Sequence, residues 1–173
     1  TVAGGEWTLG DNPPQNFTMV VFYRGFHCPI CSRTLADLAS KVDDFAERGV
    51  DVIAISTDDR ERARRTREEW EVDGLRLGYG LSLDQARDWG LFISTSRGTT
   101  SSGIVAPDLF GEPATYRVRP DGTLSFGSVQ TMPFARPSFR DILGAVDFVL
   151  ANDYPARGEV VDDSDATSHE AAD

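Results

Sequence analysis

The sequence contains few cysteines, two among 173 residues, and both belong to one Cys-x-x-Cys motif formed by Cys28 and Cys31. A single pair is not the disulfide framework of a small secreted protein, so the cysteine content requires no oxidising compartment. No apolar run approaches the roughly 20 residues of a membrane-spanning helix. No basic segment followed by an apolar one opens the chain, as it would in a secretory signal. These absences predict a cytoplasmic protein without a membrane partner.

Basic residues are scarce relative to acidic ones: 17 Lys and Arg stand against 28 Asp and Glu, a net charge of −11. Six of the acids lie in residues 159–173, where there is no Lys or Arg, so the remaining 22 acids and 17 bases give −5. An acidic surface repels phosphate groups, so nucleic acid is not an expected partner. The length fits one domain, which we assign to residues 1–155. We expect residues 156–173 to form an acidic, disordered tail.

The motif lies between an apolar run at residues 18–23 and a stretch with helical spacing of apolar residues. If Cys28 is the N-cap of that helix, Pro29 falls at the first helical position, where its missing N–H costs nothing. A Cys28 thiolate can then accept from free N–H groups at the positive end of the helix dipole, which is worth roughly 0.3–2 kcal/mol. A strand that leads into such a motif is typical of a dithiol redox site. We therefore expect Cys28 to be the accessible, reactive thiol and Cys31 the buried one.

Three other interpretations of the motif compete with redox chemistry. A zinc site normally needs four ligands, and the chain adds only His27 and His169 to the two cysteines. Two inert structural thiols do not suit a helix N-terminus, which activates a thiol. A static disulfide across so short a loop stabilises little. Redox chemistry is favoured over all three, and no metal or other cofactor is expected.

The remaining pattern alternates strands and helices, which predicts an α/β protein with a mixed sheet. An Asp-Gly turn at Asp121 and Gly122 predicts a hairpin, and Ser138 with Asp141 forms a capping box for the last helix. Residues 94–111 are predicted to be a long loop rich in Ser, Thr and Gly. The predicted strands are 18–23, 50–55, 75–79, 115–118 and 124–129, and the predicted helices are 28–46, 59–72, 84–89 and 138–150.

Two motifs, FYRGFHCPIC at residues 22–31 and GEPATYRVRPDG at residues 111–122, give the chain a family resemblance. It resembles the thioredoxin-fold superfamily, and within it the peroxiredoxin-like AhpC/TSA branch, over residues 5–155. The resemblance implies a thioredoxin-like α/β fold, with a mixed central sheet flanked by helices. It also implies an antioxidant thiol oxidoreductase that needs no bound cofactor.

When the chain is aligned with the typical peroxiredoxins that it resembles, it departs from them at two positions. The Thr that they place three residues before the peroxidatic cysteine falls on Cys28, and the peroxidatic cysteine itself falls on Cys31. The Arg that precedes their hairpin falls on Pro113, which we expect to be a cis-proline facing the two sulfurs, as in thioredoxins. Arg24 is a candidate to replace that Arg, and His27 a candidate to lower the thiol pKa or to relay a proton.

The predicted function is a cycle in which Cys28 attacks, Cys31 resolves, and the pair alternates between dithiol and disulfide. The substrate is a disulfide or a peroxide, and an external thiol or protein reductant regenerates the pair. A true thiol peroxidase with Cys31 or Cys28 as the peroxidatic cysteine is one alternative. A non-enzymatic module that binds a partner or a cluster is another. Formation of a homodimer stays open.

Overall fold

A five-stranded mixed sheet organises the chain in this computed structural model, which describes residues 1–160. The strands are β1 (Phe17–Phe22), β2 (Val50–Ile55), β3 (Arg76–Gly78), β4 (Ile93–Thr95), β5 (Leu109–Gly111), β6 (Ala114–Val118) and β7 (Leu124–Val129). The helices are α1 (Pro29–Ala39), α2 (Val42–Glu47), α3 (Arg60–Glu69), α4 (Leu83–Asp88) and α5 (Phe139–Asn152). The main sheet has the order β3-β2-β1-β6-β7, and β4 pairs with β5 in a separate antiparallel ribbon.

The central strand β1 is buried on both faces, because all six of its residues are buried. Met19 and Val21 face a core that includes Leu35 of α1 and Ile142 of α5. Val20 and Phe22 face a second core that includes Ala86 of α4. The continuous apolar pattern of β1 therefore reflects helices packed on both sides of the sheet.

Strand directions bring four connecting segments to one edge of this sheet. β1 runs parallel to β2, so Phe22 lies opposite Ile55 at the edge where both strands end. Antiparallel β6 begins opposite Phe22 at Ala114, and β7 ends opposite Ala114 at Val129. The segments that follow β1, β2 and β7, and the one that precedes β6, therefore meet where α1 begins.

The predicted α/β class, the mixed sheet and the thioredoxin-like fold are confirmed, while three details of the prediction are wrong. The helix expected over residues 28–46 is two helices, because the chain bends at Ser40 and Lys41. The expected loop at residues 94–111 contains β4 and β5, whose three-residue strands are too short to show an alternating pattern. α3 ends at Glu69, three residues before the expected end.

Within residues 1–160, no helix is long and apolar enough to cross a membrane. Most of the expected acidic tail, residues 161–173, lies outside the described residues.

Candidate active site

Cys28 is the N-cap of α1, as the sequence predicts. Its backbone is extended, with φ −98° and ψ 106°, and Pro29 occupies the first turn of the helix. The Cys31 backbone N–H donates to the Cys28 sulfur at 3.4 Å. The first turn of α1 contains no acidic side chain that would oppose a negative charge on this sulfur.

The two thiols have pKa values shifted in opposite directions. A hydrogen bond from the Cys31 thiol is the largest cause that lowers the pKa of Cys28 to about 6, against the opposing effect of burial. The Cys31 backbone N–H and the charges of Arg24 and Arg136 lower it further. Burial raises the pKa of Cys31 well above its usual range. At neutral pH, Cys28 is therefore a thiolate and Cys31 a neutral thiol that donates to it.

Arg136 is a site residue that the sequence analysis missed. Its Nη2 donates to the Cys31 sulfur at 3.1 Å, although 105 residues separate the two in the chain. Its Nε donates to the Pro133 carbonyl at 3.0 Å, and its buried Nη1 has no hydrogen-bond partner. The available signal was an Arg in a proline-containing connector, residues 132–137, which ends directly before Ser138, the N-cap of α5. Arg136 therefore places a positive charge directly against the buried Cys31 sulfur.

Arg24 lies beside Cys28, as its proximity in sequence suggested. Its Nε forms an ion pair with Glu112 at 3.4 Å, and its guanidinium stacks 4.6 Å from the centre of the Phe110 ring. Glu112 is buried, and its other carboxylate oxygen accepts from Ser94 at 2.6 Å. These contacts hold the Arg24 guanidinium at the Cys28 cavity, although the Arg24 side chain is only partly buried.

His27 is buried against Phe110, with a distance of 4.6 Å between the ring centres, and neither ring nitrogen has a hydrogen-bond partner. Burial is the main cause that lowers its pKa to about 4, and the charges of Arg24 and Arg62 add to it. His27 is therefore neutral at physiological pH, and the expectation that its positive charge lowers the Cys28 pKa is wrong. Its role as a proton relay stays a prediction.

The expectation of a cis-proline at position 113 is also wrong, because the Glu112–Pro113 bond is trans. An extended chain runs here from β5 into β6: the Glu112 N–H donates to Phe92 at 2.7 Å, and the Pro113 carbonyl accepts from Gln130 at 2.9 Å. A trans bond fits this extended path, and trans is by far the commoner state of X–Pro bonds in folded proteins. Pro113 is buried and is not among the residues that line the Cys28 cavity. A cis-proline beside the sulfurs would suit the docking of an extended thiol or disulfide partner, and Pro113 does not provide one.

The loop before Cys28 is held by a buried carboxylate. Asp58, which follows β2, accepts from the Phe26 N–H at 2.7 Å, while its second oxygen has no partner. Burial raises the pKa of Asp58 to about 6. Gly25 has φ +127°, and a Cβ there would lie 2.6 Å from the Asp58 carboxylate. Glycine is therefore required for the close approach that positions the segment leading to Cys28.

A cavity of about 640 Å³ opens at Cys28. Its wall combines cationic, hydroxyl and apolar side chains, and none of its lining residues is acidic. The sequence analysis missed the hydroxyl groups, because a loop between β4 and β5 carries them to the site. Apart from Cys28 and Pro29, the lining residues are Arg24, Arg33, Thr100, Ser101, Ile30, Pro133 and Phe134. In residues 1–160, no three His, Cys, Asp or Glu side chains come together in an arrangement that could hold a metal ion.

Comparison with known proteins adds a family and a fold. The sequence profile of the AhpC/TSA family matches residues 1–126. A search of curated proteins gives no significant match. Among solved structures, a variant of peroxiredoxin 6 from Arenicola marina superposes with a TM-score of 0.63 at 18% identity, covering 85% of this chain and 69% of that one. AhpC from Mycobacterium tuberculosis gives 0.62 at 15% identity, with 90% and 77% covered. The peroxidoxin BcpB from the same organism gives 0.58 at 17% identity, with 78% and 80% covered.

Proposed function

This chain belongs to the AhpC/TSA family and is a thiol-based oxidoreductase, and we propose that it works by cycling Cys28 and Cys31 between dithiol and disulfide. Cys28 attacks the oxidant and Cys31 resolves the product. The expectation that Cys28 is accessible is wrong in the resting structure, because both cysteines are buried, Cys28 to 2% and Cys31 to 0% exposure. The supporting observation is the asymmetry that remains: Cys28 lines a cavity and has a lowered pKa, whereas Cys31 does not line that cavity.

With a hydroperoxide, the Cys28 thiolate attacks the terminal oxygen and the O–O bond breaks. Cys28 becomes a sulfenic acid, and the leaving alkoxide or hydroxide takes up a proton. The Cys31 sulfur then attacks the Cys28 sulfur, the S–O bond breaks, and water leaves after the Cys31 proton is transferred. An external thiol or a protein reductant returns two electrons and two protons to the disulfide.

The cavity wall supports a peroxide as one substrate of this cycle. Peroxide reduction needs donors that stabilise charge developing on the oxygens. Arg24 and Thr100 line the cavity beside Cys28 and are of the same chemical types as the Arg and Thr that typical peroxiredoxins use. The positions that supply this Thr and Arg in typical peroxiredoxins hold Cys28 and Pro113 here, so we expect peroxide reduction to be slower than in dedicated peroxiredoxins. The loss of one preorganised donor costs about 10²–10³ in rate.

Stopped-flow oxidation of the reduced protein by hydrogen peroxide and by 2-hydroxyethyl disulfide tests the proposal. The Cys31→Ser variant should still be oxidised at Cys28 and stop at a sulfenic acid or a mixed disulfide, which mass spectrometry identifies. The Cys28→Ser variant should react at least 100-fold more slowly, since Cys31 is buried and neutral. The opposite ranking, with Cys31 reacting faster near pH 7, would assign the peroxidatic role to Cys31. Equal reactivity of both variants and a free small thiol would refute an enzymatic role.

A second candidate, binding of a partner or a cluster without catalysis, has less support. Within the described residues, the cysteine pair is not part of any group of three or more His, Cys, Asp or Glu side chains that could hold a metal ion. The lowered pKa of Cys28 gives such a module no advantage. Metal analysis of protein purified without oxygen tests it directly. A stoichiometric metal or iron–sulfur content would replace the redox proposal.

A further inference from the structure

We propose that the Cys28 cavity selects substrates that carry a carboxylate, and that Arg33 is the residue that recognises it. This inference rests on the proposed function and names a substrate class for the same site. The shared chemistry is an anionic group joined by a short apolar spacer to a reactive disulfide or hydroperoxide.

The first supporting observation is an unpaired cation on the cavity wall. Arg24, the other arginine of the wall, is already paired with the buried Glu112. Arg33 makes no ion pair or hydrogen bond with any residue of the described chain. Asp37, one helical turn further along α1, is instead bonded to Lys41. The planar guanidinium of Arg33 therefore remains available for a bidentate contact with a carboxylate.

The second observation is the charge of the surroundings. The chain as a whole carries a net charge of −11, yet the residues lining the cavity include two arginines and no acid. A locally basic cavity in an acidic protein attracts an anion to one place and not to the surface at large. Cationic substrates gain nothing from this wall, because no carboxylate lines it.

The third observation concerns size. A hydrogen peroxide molecule fills little of the roughly 640 Å³ available at Cys28. A second cavity of about 280 Å³ borders the first and shares Arg33 and Phe134 with it. Its own lining adds the cation of Arg136 and one carboxylate, that of Asp37, which is already paired with Lys41. Phe134 lines both cavities and is 72% exposed, so it offers an apolar face to a bound substrate. Arg33 lies five residues after Cys28, which is about 7.5 Å along the helix axis. A spacer of a few carbon atoms joins the two points.

With a disulfide of this class, the Cys28 thiolate attacks one sulfur and the S–S bond breaks. The departing thiolate keeps the electron pair and takes up a proton. Cys31 then attacks the mixed disulfide and releases the second thiol. The protein is oxidised by two electrons and the disulfide is reduced to two thiols, so atoms and electrons balance. A hydroperoxide of this class follows the steps already described.

Matched probes test the inference. Three disulfides place their polar group after the same two methylene groups and differ in charge: 3,3′-dithiodipropionate is anionic, 2-hydroxyethyl disulfide neutral and cystamine cationic. Cumene hydroperoxide and its para-carboxylate form the corresponding peroxide pair. Each second-order rate constant is divided by that of the same probe with 2-mercaptoethanol, which removes differences in intrinsic reactivity. The disulfide set and the peroxide pair show which kind of molecule carries the recognised carboxylate.

We expect the anionic probe of at least one set to react about tenfold faster than its neutral partner with the unmodified protein. The Arg33→Gln variant should lower that ratio to near one. The matched control, Arg87→Gln, removes the same charge from α4, away from the cavity, and should keep the ratio. A ratio of one or less in both sets, or a ratio that Arg33→Gln does not change, would overturn the inference alone. If the neutral probes and hydrogen peroxide also react no faster than with a free thiol, the proposed function fails, and this inference fails with it.

Discussion

Replacement of Arg136 by glutamine tests how the buried Cys31 becomes reactive enough to resolve the oxidised Cys28. The hydrogen bond from Arg136 to the Cys31 sulfur is charge-assisted, and its loss costs about 1.5–3 kcal/mol. Because this contact lowers the pKa of Cys31, its loss raises that pKa further and, at about 1.36 kcal/mol per tenfold, leaves about 10- to 100-fold less Cys31 thiolate. Each Cys31 thiolate that does form is a stronger nucleophile, because nucleophilicity increases with the thiol pKa with a Brønsted exponent of about 0.4–0.5. Disulfide closure at pH 7.5 should therefore slow about 3- to 15-fold.

The assay follows formation of the Cys28–Cys31 disulfide after one equivalent of hydrogen peroxide is added to the reduced protein. Dimedone traps the Cys28 sulfenic acid at successive times, and mass spectrometry gives the ratio of trapped protein to disulfide. The deficit of Arg136→Gln should shrink as pH rises toward the new pKa. Arg136→Lys keeps the charge and should close at an intermediate rate. Arg140→Gln, at the exposed start of α5, controls for general loss of charge. Closure of Arg136→Gln at the unmodified rate between pH 6 and 9 would refute the reasoning.

Three further outcomes follow from the geometry around Cys28. Alkylation of Cys28 by iodoacetamide should rise through a midpoint near pH 6 and level off above about pH 7; a rate that still climbs between pH 7.5 and 9 would contradict the lowered pKa. The folded-state pKa of Asp58, about 6, lies above its unfolded value, so folding stability is lost as pH rises from about 4 to 6. Asp58→Asn should remove this loss, stabilising the protein against urea by up to about 3 kcal/mol at pH 7.5 and by little at pH 4, and a larger gain at pH 4 would contradict the sign. Gly25→Ala should destabilise the protein by at least about 1–3 kcal/mol, because of the positive φ and the contact with Asp58. The control Gly144→Ala in α5 has open space around it and should stabilise the protein by about 0.5–1 kcal/mol. Equal urea midpoints for the two glycine variants would refute the account of Gly25.

Local sequence was enough to predict the features that depend on neighbouring residues. A cysteine followed by proline and a helical pattern predicts an N-cap, because capping needs only the backbone of the next three residues. A nearly continuous run of apolar residues predicts a strand covered on both faces, as β1 is. The Asp-Gly turn predicts the hairpin of β6 and β7, because the turn sets how its own strands pair.

The surroundings of the two sulfurs depended instead on which chain segments meet at one edge of the sheet. Arg136 reaches Cys31 because β7, which pairs with β6, ends at the same edge of the sheet as β1. Thr100 reaches the cavity because the short β4 and β5 pair and hold the intervening loop near α1. Pro113 is trans because the path between two strands is extended there, which the residues around it did not reveal. The sequence by itself determined that this chain has an activated dithiol at a helix N-terminus, since capping and periodicity are short-range. Tertiary structure alone decided the charge, hydroxyl groups and space around that dithiol, because these come from residues brought together by strand pairing.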